Sequence, residues 1–123
     1  MKWSYSVEDC QLVVKDSGTG ALAWQGRPNG CPVVKTQSLP DSDDAIVLLD
    51  YSSGDPRRDF RNILRCRPDG SVAWQAELPD PSSGDAYVDM AVSSGGVIAR
   101  SWSGYRVLLD RATGSIQQSV FTK

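Results

Sequence analysis

Five arginines fall within the eleven residues Arg57-Arg58-Asp59-Phe60-Arg61-Asn62-Ile63-Leu64-Arg65-Cys66-Arg67, with Phe60 set among them. Guanidinium groups in such a run can hold carboxylates, phosphates or a single-stranded nucleic-acid backbone, while an aromatic ring stacks on a planar group. Arg57, Arg58, Phe60, Arg61, Arg65 and Arg67 are therefore the candidate partner-binding set, with a protein as the favoured partner. The same charges are also how an edge strand avoids unwanted pairing. Five acids precede the run, Asp41, Asp43, Asp44, Asp50 and Asp55. Carboxylate oxygens suit calcium, yet Asp41-Ser42-Asp43-Asp44-Ala45 lacks the spaced ligands and terminal glutamate of a helix-loop-helix site. It reads as a solvated loop, and no metal site is assigned.

Aromatic rings are the other group able to recognise a ligand. Trp3, Trp24, Trp74 and Trp102 accompany Tyr5, Tyr51, Tyr87 and Tyr105. Trp24 and Trp74 sit in apolar series that read as core. Trp102 lies between Ser101 and Ser103-Gly104-Tyr105, so Trp102 and Tyr105 are the candidate ligand-binding rings, as a carbohydrate or peptide surface would use them.

Catalysis finds little footing. The chain has no histidine, which removes the serine-histidine-aspartate and cysteine-histidine arrangements and every imidazole metal site. Cys10, Cys31 and Cys66 have no histidine to activate them, and no spacing places Glu77 and Asp89 around one pocket. Ser93-Ser94-Gly95-Gly96 does not match a phosphate loop before a helix. No catalytic residue and no cofactor are assigned.

The elements that must position these groups are strands. Tyr5 and Val7 alternate with Ser4, Ser6 and Glu8, and Leu22 and Trp24 are expected on a common face after the turn Asp16-Ser17-Gly18-Thr19-Gly20. Ile46-Val47-Leu48-Leu49 reads as a central strand. Phe60 to Arg67 reads as a strand with its arginine side outward and Ile63 half exposed. Val72, Trp74, Ala76 and Leu78 form the cleanest single-face series, and Ala86, Val88, Met90 and Val92 share another face, opposite Tyr87 and Asp89. No segment has a sustained 3.6-residue apolar period, so helix is expected to be nearly absent.

Length and composition set the frame. With 123 residues, 40% hydrophobic, 23% charged and a net charge of −2, the chain is expected to form a single all-β domain over 1–123, with hairpin repeats centred on 12–25, 62–78 and 105–121. So balanced a charge argues against a duplex nucleic-acid partner. No apolar run approaches the length of a membrane span, and the polar, acidic start of the chain carries no secretory pattern. Three widely spaced cysteines fit free thiols in a reducing compartment, so a cytoplasmic location is expected.

Three turns line up in the hairpin repeats, closing at Gly20, Gly70 and Gly114, which are 50 and 44 residues apart. The residues that follow align Trp24, Trp74 and Gln118, so the last copy departs from the other two. Asp69-Gly70-Ser71-Val72-Ala73-Trp74 and Arg106-Val107-Leu108-Leu109-Asp110-Arg111-Ala112-Thr113-Gly114, continued by Gly96-Val97-Ile98-Ala99 and Ser103-Gly104, resemble blade repeats of the pyrroloquinoline-quinone-type β-propeller. That resemblance implies short four-stranded units. A closed propeller needs at least four of them, and this chain supplies between two and three. A compact barrel or sandwich, an open meander capped by its ends and a propeller closed across subunits all follow from the same hairpins.

The fold expected is therefore all-β, a compact antiparallel meander of repeated hairpins, propeller-blade-like or a small barrel or sandwich. The function expected is a small non-enzymatic module that binds a protein. The alternatives are a self-assembling structural β protein and a carbohydrate-binding module.

Overall fold

Three turns of one chemistry organise the chain. A computed structural model describes residues 2–54, 58–80 and 84–122. In it the Asp16 carboxylate accepts from the Gly18 and Thr19 amides, Asp69 from the Ser71 amide and Asp110 from the Ala112 amide, at 2.7–3.0 Å. Such bonds bend the backbone locally, and Gly20, Gly70 and Gly114 complete the reversal with φ of 76°, 82° and 75°, a region that favours glycine.

The strands so joined form three antiparallel sheets. The first contains β1 (Trp3–Glu8), β2 (Gln11–Asp16) and β3 (Leu22–Gly26), in that order. The second runs β4 (Val33–Ser38), β5 (Ala45–Leu49), β6 (Ile63–Cys66) and β7 (Val72–Gln75). The third runs β8 (Tyr87–Ser93), β9 (Gly96–Ser101), β10 (Tyr105–Leu109) and β11 (Ile116–Phe121). Among the described residues the only helical pieces are two 3-10 turns, Pro28–Gly30 and Tyr51–Ser53. The fold is all-β, built of repeated antiparallel hairpin sheets, and no sheet closes on itself among the described residues.

Two apolar seams join the sheets. Leu12 and Val14 meet Val33, Val47, Leu49, Leu64 and Cys66 in the first. Ile46, Leu48 and Ile63 meet Tyr87, Met90, Val97, Ala99, Val107 and Leu109 in the second. The middle sheet is therefore buried on both faces, which explains the uninterrupted run of β5: Val47 and Leu49 serve one seam, Ile46 and Leu48 the other. It also corrects the outward arginine side expected for β6, because Ile63 is fully buried.

The same β-bulge follows each of the three turns. Register shifts lie between Val14/Lys15, Arg65/Cys66 and Leu108/Leu109, so Leu22, Val72 and Ile116 pair with Lys15, Cys66 and Leu109, while Trp24, Trp74 and Gln118 pair with Val14, Arg65 and Leu108. One extra residue re-aims the side chains that follow it. Leu22 and Trp24 accordingly do not share a face: Leu22 is 58% exposed while Trp24 packs in the first seam. Val72 and Trp74 likewise go to different seams. A further shift between Tyr87 and Asp89 puts Tyr87 in the second seam with Met90 and Val92, against the opposite facing read from the sequence.

Each re-aimed tryptophan lands on the glycine turn of the next sheet. A Cβ placed on Gly70 would stand 2.2 Å from the Trp24 ring, and one on Gly114 would stand 2.5 Å from the Trp74 ring. The Trp74 indole N–H also donates to the Arg111 carbonyl at 2.7 Å. Among the described residues a side chain added at Gly20 would meet open space, and Gln118 occupies the third tryptophan position.

Candidate binding cleft

The arginines read from the sequence do not all face outward. Arg57 lies outside the described residues. Arg61 donates from its guanidinium to the carbonyls of Gln75 and Ala76, tying the lead-in of β6 to β7. Arg65 pairs with Asp44 at 2.8 Å, with both side chains less than a fifth exposed, and donates to the Arg111 carbonyl across the second seam at 2.9 Å. Arg67 donates to the Ser71 hydroxyl and the Val72 carbonyl within its own hairpin. Arg58 is exposed, and no hydrogen bond or ion pair joins it to another described residue.

Arg58 and Phe60 instead meet Trp102, the ring singled out separately. Together with Tyr51, Gly54 and Asp85 they line a cleft of about 320 Å³ between the second and third sheets. The rings of Tyr51 and Trp102 stack across it with centroids 5.7 Å apart and planes inclined by 21°. Both are well exposed, at 46% and 60%. Tyr105 does not join them; it is half-buried and packs against Phe121 at 5.2 Å.

Backbone ties between the sheets hold the cleft in shape. The Phe60 amide donates to the Asp85 carbonyl at 2.9 Å, Phe60 and Ala86 form a parallel bridge, and the Trp102 amide donates to the Ala86 carbonyl at 2.7 Å. The Asp85 side chain is buried and accepts from the amides of Ala86 and Ser103 and from the Ser103 hydroxyl at 2.6 Å, so it holds the β9–β10 turn that carries Trp102. On the other wall the Asp50 carboxylate accepts from the Ser52 hydroxyl and amide. Those bonds, the hydroxyl first, hold its pKa below the usual carboxylate range. Gly54 allows a close approach as well: a Cβ there would stand 2.6 Å from the Phe60 ring.

The sequence offers no reason to choose Asp85, and offers Tyr51 only as one of eight tryptophan and tyrosine rings. Tyr51 stood in a serine- and glycine-rich connection, and Asp85 followed a glycine in another. The remaining acids are spread through the fold. Asp44 pairs with Arg65, Asp41 with Arg111 at 3.5 Å, and Asp89 with Lys35 at 3.2 Å and Arg100 at 3.5 Å. Asp55 lies outside the described residues. Among the described residues no three of histidine, cysteine, aspartate and glutamate come together as metal ligands. No helix of the described residues is long and apolar enough to cross a membrane.

The fold has close likenesses of low sequence identity. The computationally designed Ika4 protein matches with a TM-score of 0.66 and 16% identity over all of this chain and 69% of its own. The designed Ika8 protein matches at 0.61 and 16% over 98% of this chain and 33% of its own. BamB from Moraxella catarrhalis matches at 0.59 and 15% over 98% of this chain and 35% of its own. This chain thus spans about a third of the Ika8 and BamB chains. At these identities the likeness is one of fold: repeated antiparallel sheets in a propeller- or sandwich-like array. No curated protein matches the sequence. Residues 36–121, more than half of the chain, match a family model described as a domain of unknown function, DUF7957, and the chain belongs to that family.

Proposed function

We propose that this protein is a non-catalytic recognition module that takes a segment of a partner protein into the cleft formed by Tyr51, Arg58, Phe60 and Trp102. One observation carries the reading: two exposed rings stacked across a cleft whose walls are held by backbone and carboxylate bonds. Large rings confined to one geometry give contact area with little ordering cost, which is how binding hot spots work. The repeated unit is read as a blade of the pyrroloquinoline-quinone type, supported by the two tryptophan-on-glycine contacts. The three free cysteines support a cytoplasmic setting.

The test is selection of binding peptides from a displayed random library against the wild-type protein, followed by measurement on Trp102→Ala and Arg58→Ser. Trp102→Ala should weaken binding roughly 30-fold or more, as expected of a central aromatic anchor. Arg58→Ser should weaken it by a smaller factor. Peptides that bind both variants with wild-type affinity would remove the cleft from the proposal.

Self-assembly is favoured by a separate observation. β11 is a sheet edge of six residues, Ile116 to Phe121, with no charge and no proline, and Val120 and Phe121 are well exposed. Such an edge invites pairing. A mass that rises with concentration in sedimentation equilibrium would support this reading, and a constant monomer mass would end it.

A further inference from the structure

Most of the polar side chains along the cleft are already committed to the fold. Asp85 is buried, and its carboxylate is taken up by the Ala86 and Ser103 amides and the Ser103 hydroxyl. The Ser52 hydroxyl donates to Asp50 at 2.7 Å. Asp50 and Asp59, which flank the cleft in sequence, do not line it. Among the described lining residues this leaves one accessible charge, the exposed guanidinium of Arg58.

Much of the remaining surface is apolar and flat. Tyr51 and Trp102 turn one face of each ring on the other, Phe60 lies against Gly54, and Ala86 adds only a methyl. A volume of about 320 Å³ is at the small end of ligand pockets. It suits one large side chain and its neighbours better than a whole element of structure. A sugar would need several polar partners for its hydroxyls, and the cleft has few to give. A cationic ligand would meet Arg58, and each ring already has one face covered. Phosphate motifs are held by clusters of arginines, whereas Arg61, Arg65 and Arg67 are engaged elsewhere in the fold.

We infer, resting on the reading of the cleft as a peptide site, that the partner segment is a short linear motif in which an aromatic side chain stands next to a carboxylate. The ring packs against Trp102 and Phe60, and the carboxylate pairs with Arg58. A guanidinium offers parallel N–H donors in the fork that matches a carboxylate. The carboxylate belongs to a neighbouring side chain or to the C-terminus of the partner; its chemistry is the same. Arg58 thereby sets the specificity of the cleft, while the rings supply most of the affinity.

The probes are five hexapeptides carrying fluorescein at the N-terminus, titrated against the intact protein by anisotropy. Three are amidated and hold phenylalanine followed by aspartate, asparagine or lysine between glycines and serines. Two end in phenylalanine, one as the free acid and one as the amide. At least one acidic peptide should bind roughly tenfold tighter than its neutral counterpart, the worth of one charge-assisted bond. The lysine peptide should bind most weakly. Arg58→Glu should abolish the acid preference and place the lysine peptide ahead of the aspartate one, and Trp102→Ala should weaken all that bind. Equal binding of acidic, neutral and basic peptides, all lost in Trp102→Ala, would overturn the inference and leave the cleft as a peptide site. A preference for acid that survives Arg58→Glu would overturn it too, as would the failure of both acidic peptides to bind.

Discussion

Asn62 and Tyr87 exchange two hydrogen bonds: the Asn62 side-chain N–H donates to the Tyr87 carbonyl and the Tyr87 amide donates to Asn62 Oδ1, both at 2.7 Å. A further donation from the Asn62 side chain reaches the Leu49 carbonyl at 2.9 Å, and Asn62 is fully buried. One side chain thus imitates a strand pairing where the second sheet meets the third. Asn62→Ala would strand a buried amide and leave two carbonyls without this donor, so a loss of about 2–4 kcal/mol is expected. Urea unfolding measures it; a loss below 1 kcal/mol would mean that other groups replace the asparagine.

The three equivalent glycines separate backbone strain from packing. Gly20→Ala adds only the strain of a positive φ, about 1 kcal/mol. Gly70→Ala and Gly114→Ala add that strain and also drive a methyl into the Trp24 or Trp74 ring, for about 2–4 kcal/mol in total. Equal unfolding midpoints for all three variants would show that the rings move aside freely.

Acid should weaken the turns. Backbone donation from Thr19 and then Gly18 holds the Asp16 carboxyl below its ordinary pKa, and the Ser71 hydroxyl and amide do the same for Asp69. A depressed native pKa contributes stability that is fully present above the unfolded value, near 4, and is lost as pH falls through the native value. Urea midpoints should therefore decline below about pH 4, and more shallowly in Asp16→Asn/Asp69→Asn. An unchanged slope in that double variant would assign the acid sensitivity to other carboxyls.

Thiol reactivity should follow position. Burial, assisted by Asp44, pushes the Cys66 thiol up to about 12, and Cys66 is fully buried in the first seam. A thiol held protonated and out of solvent does not attack disulfide reagents. Exposed Cys10 should react first with Ellman's reagent and Cys66 only on unfolding. A native protein that titrates three thiols at one rate would contradict the burial described.

Local chemistry made the hairpins legible. The Gly20, Gly70 and Gly114 turns, the apolar runs beside them and the lack of helical period all act over a few residues, and they suffice for an all-β fold with repeats. The bulges were not legible, because a single unpaired residue reverses every later facing, as between Leu22 and Trp24. Nor was the use of each arginine. Arg61 and Arg65 are consumed by partners set by tertiary contact, while Arg58 stays exposed beside a ring from the third sheet. Asn62 did leave a trace, as a polar residue in the series with Phe60, Leu64 and Cys66. Tyr51 left only its place among the aromatic rings, because its partner Trp102 is brought to it by the docking of two sheets.

Gly70 and Trp74 belong to one hairpin, so each full unit is a socket and a plug cast in a single piece, four residues apart. A row of such connectors has a direction, and it can be lengthened without inventing a new joint. Among the described residues Gln118 stands where a third plug would be, and no ring lies within 4 Å of a Cβ placed on Gly20. Inserting a second copy of residues 32–75 after residue 75 would extend the row by one sheet, whereas Gln118→Trp would give its far end the means to grip another molecule.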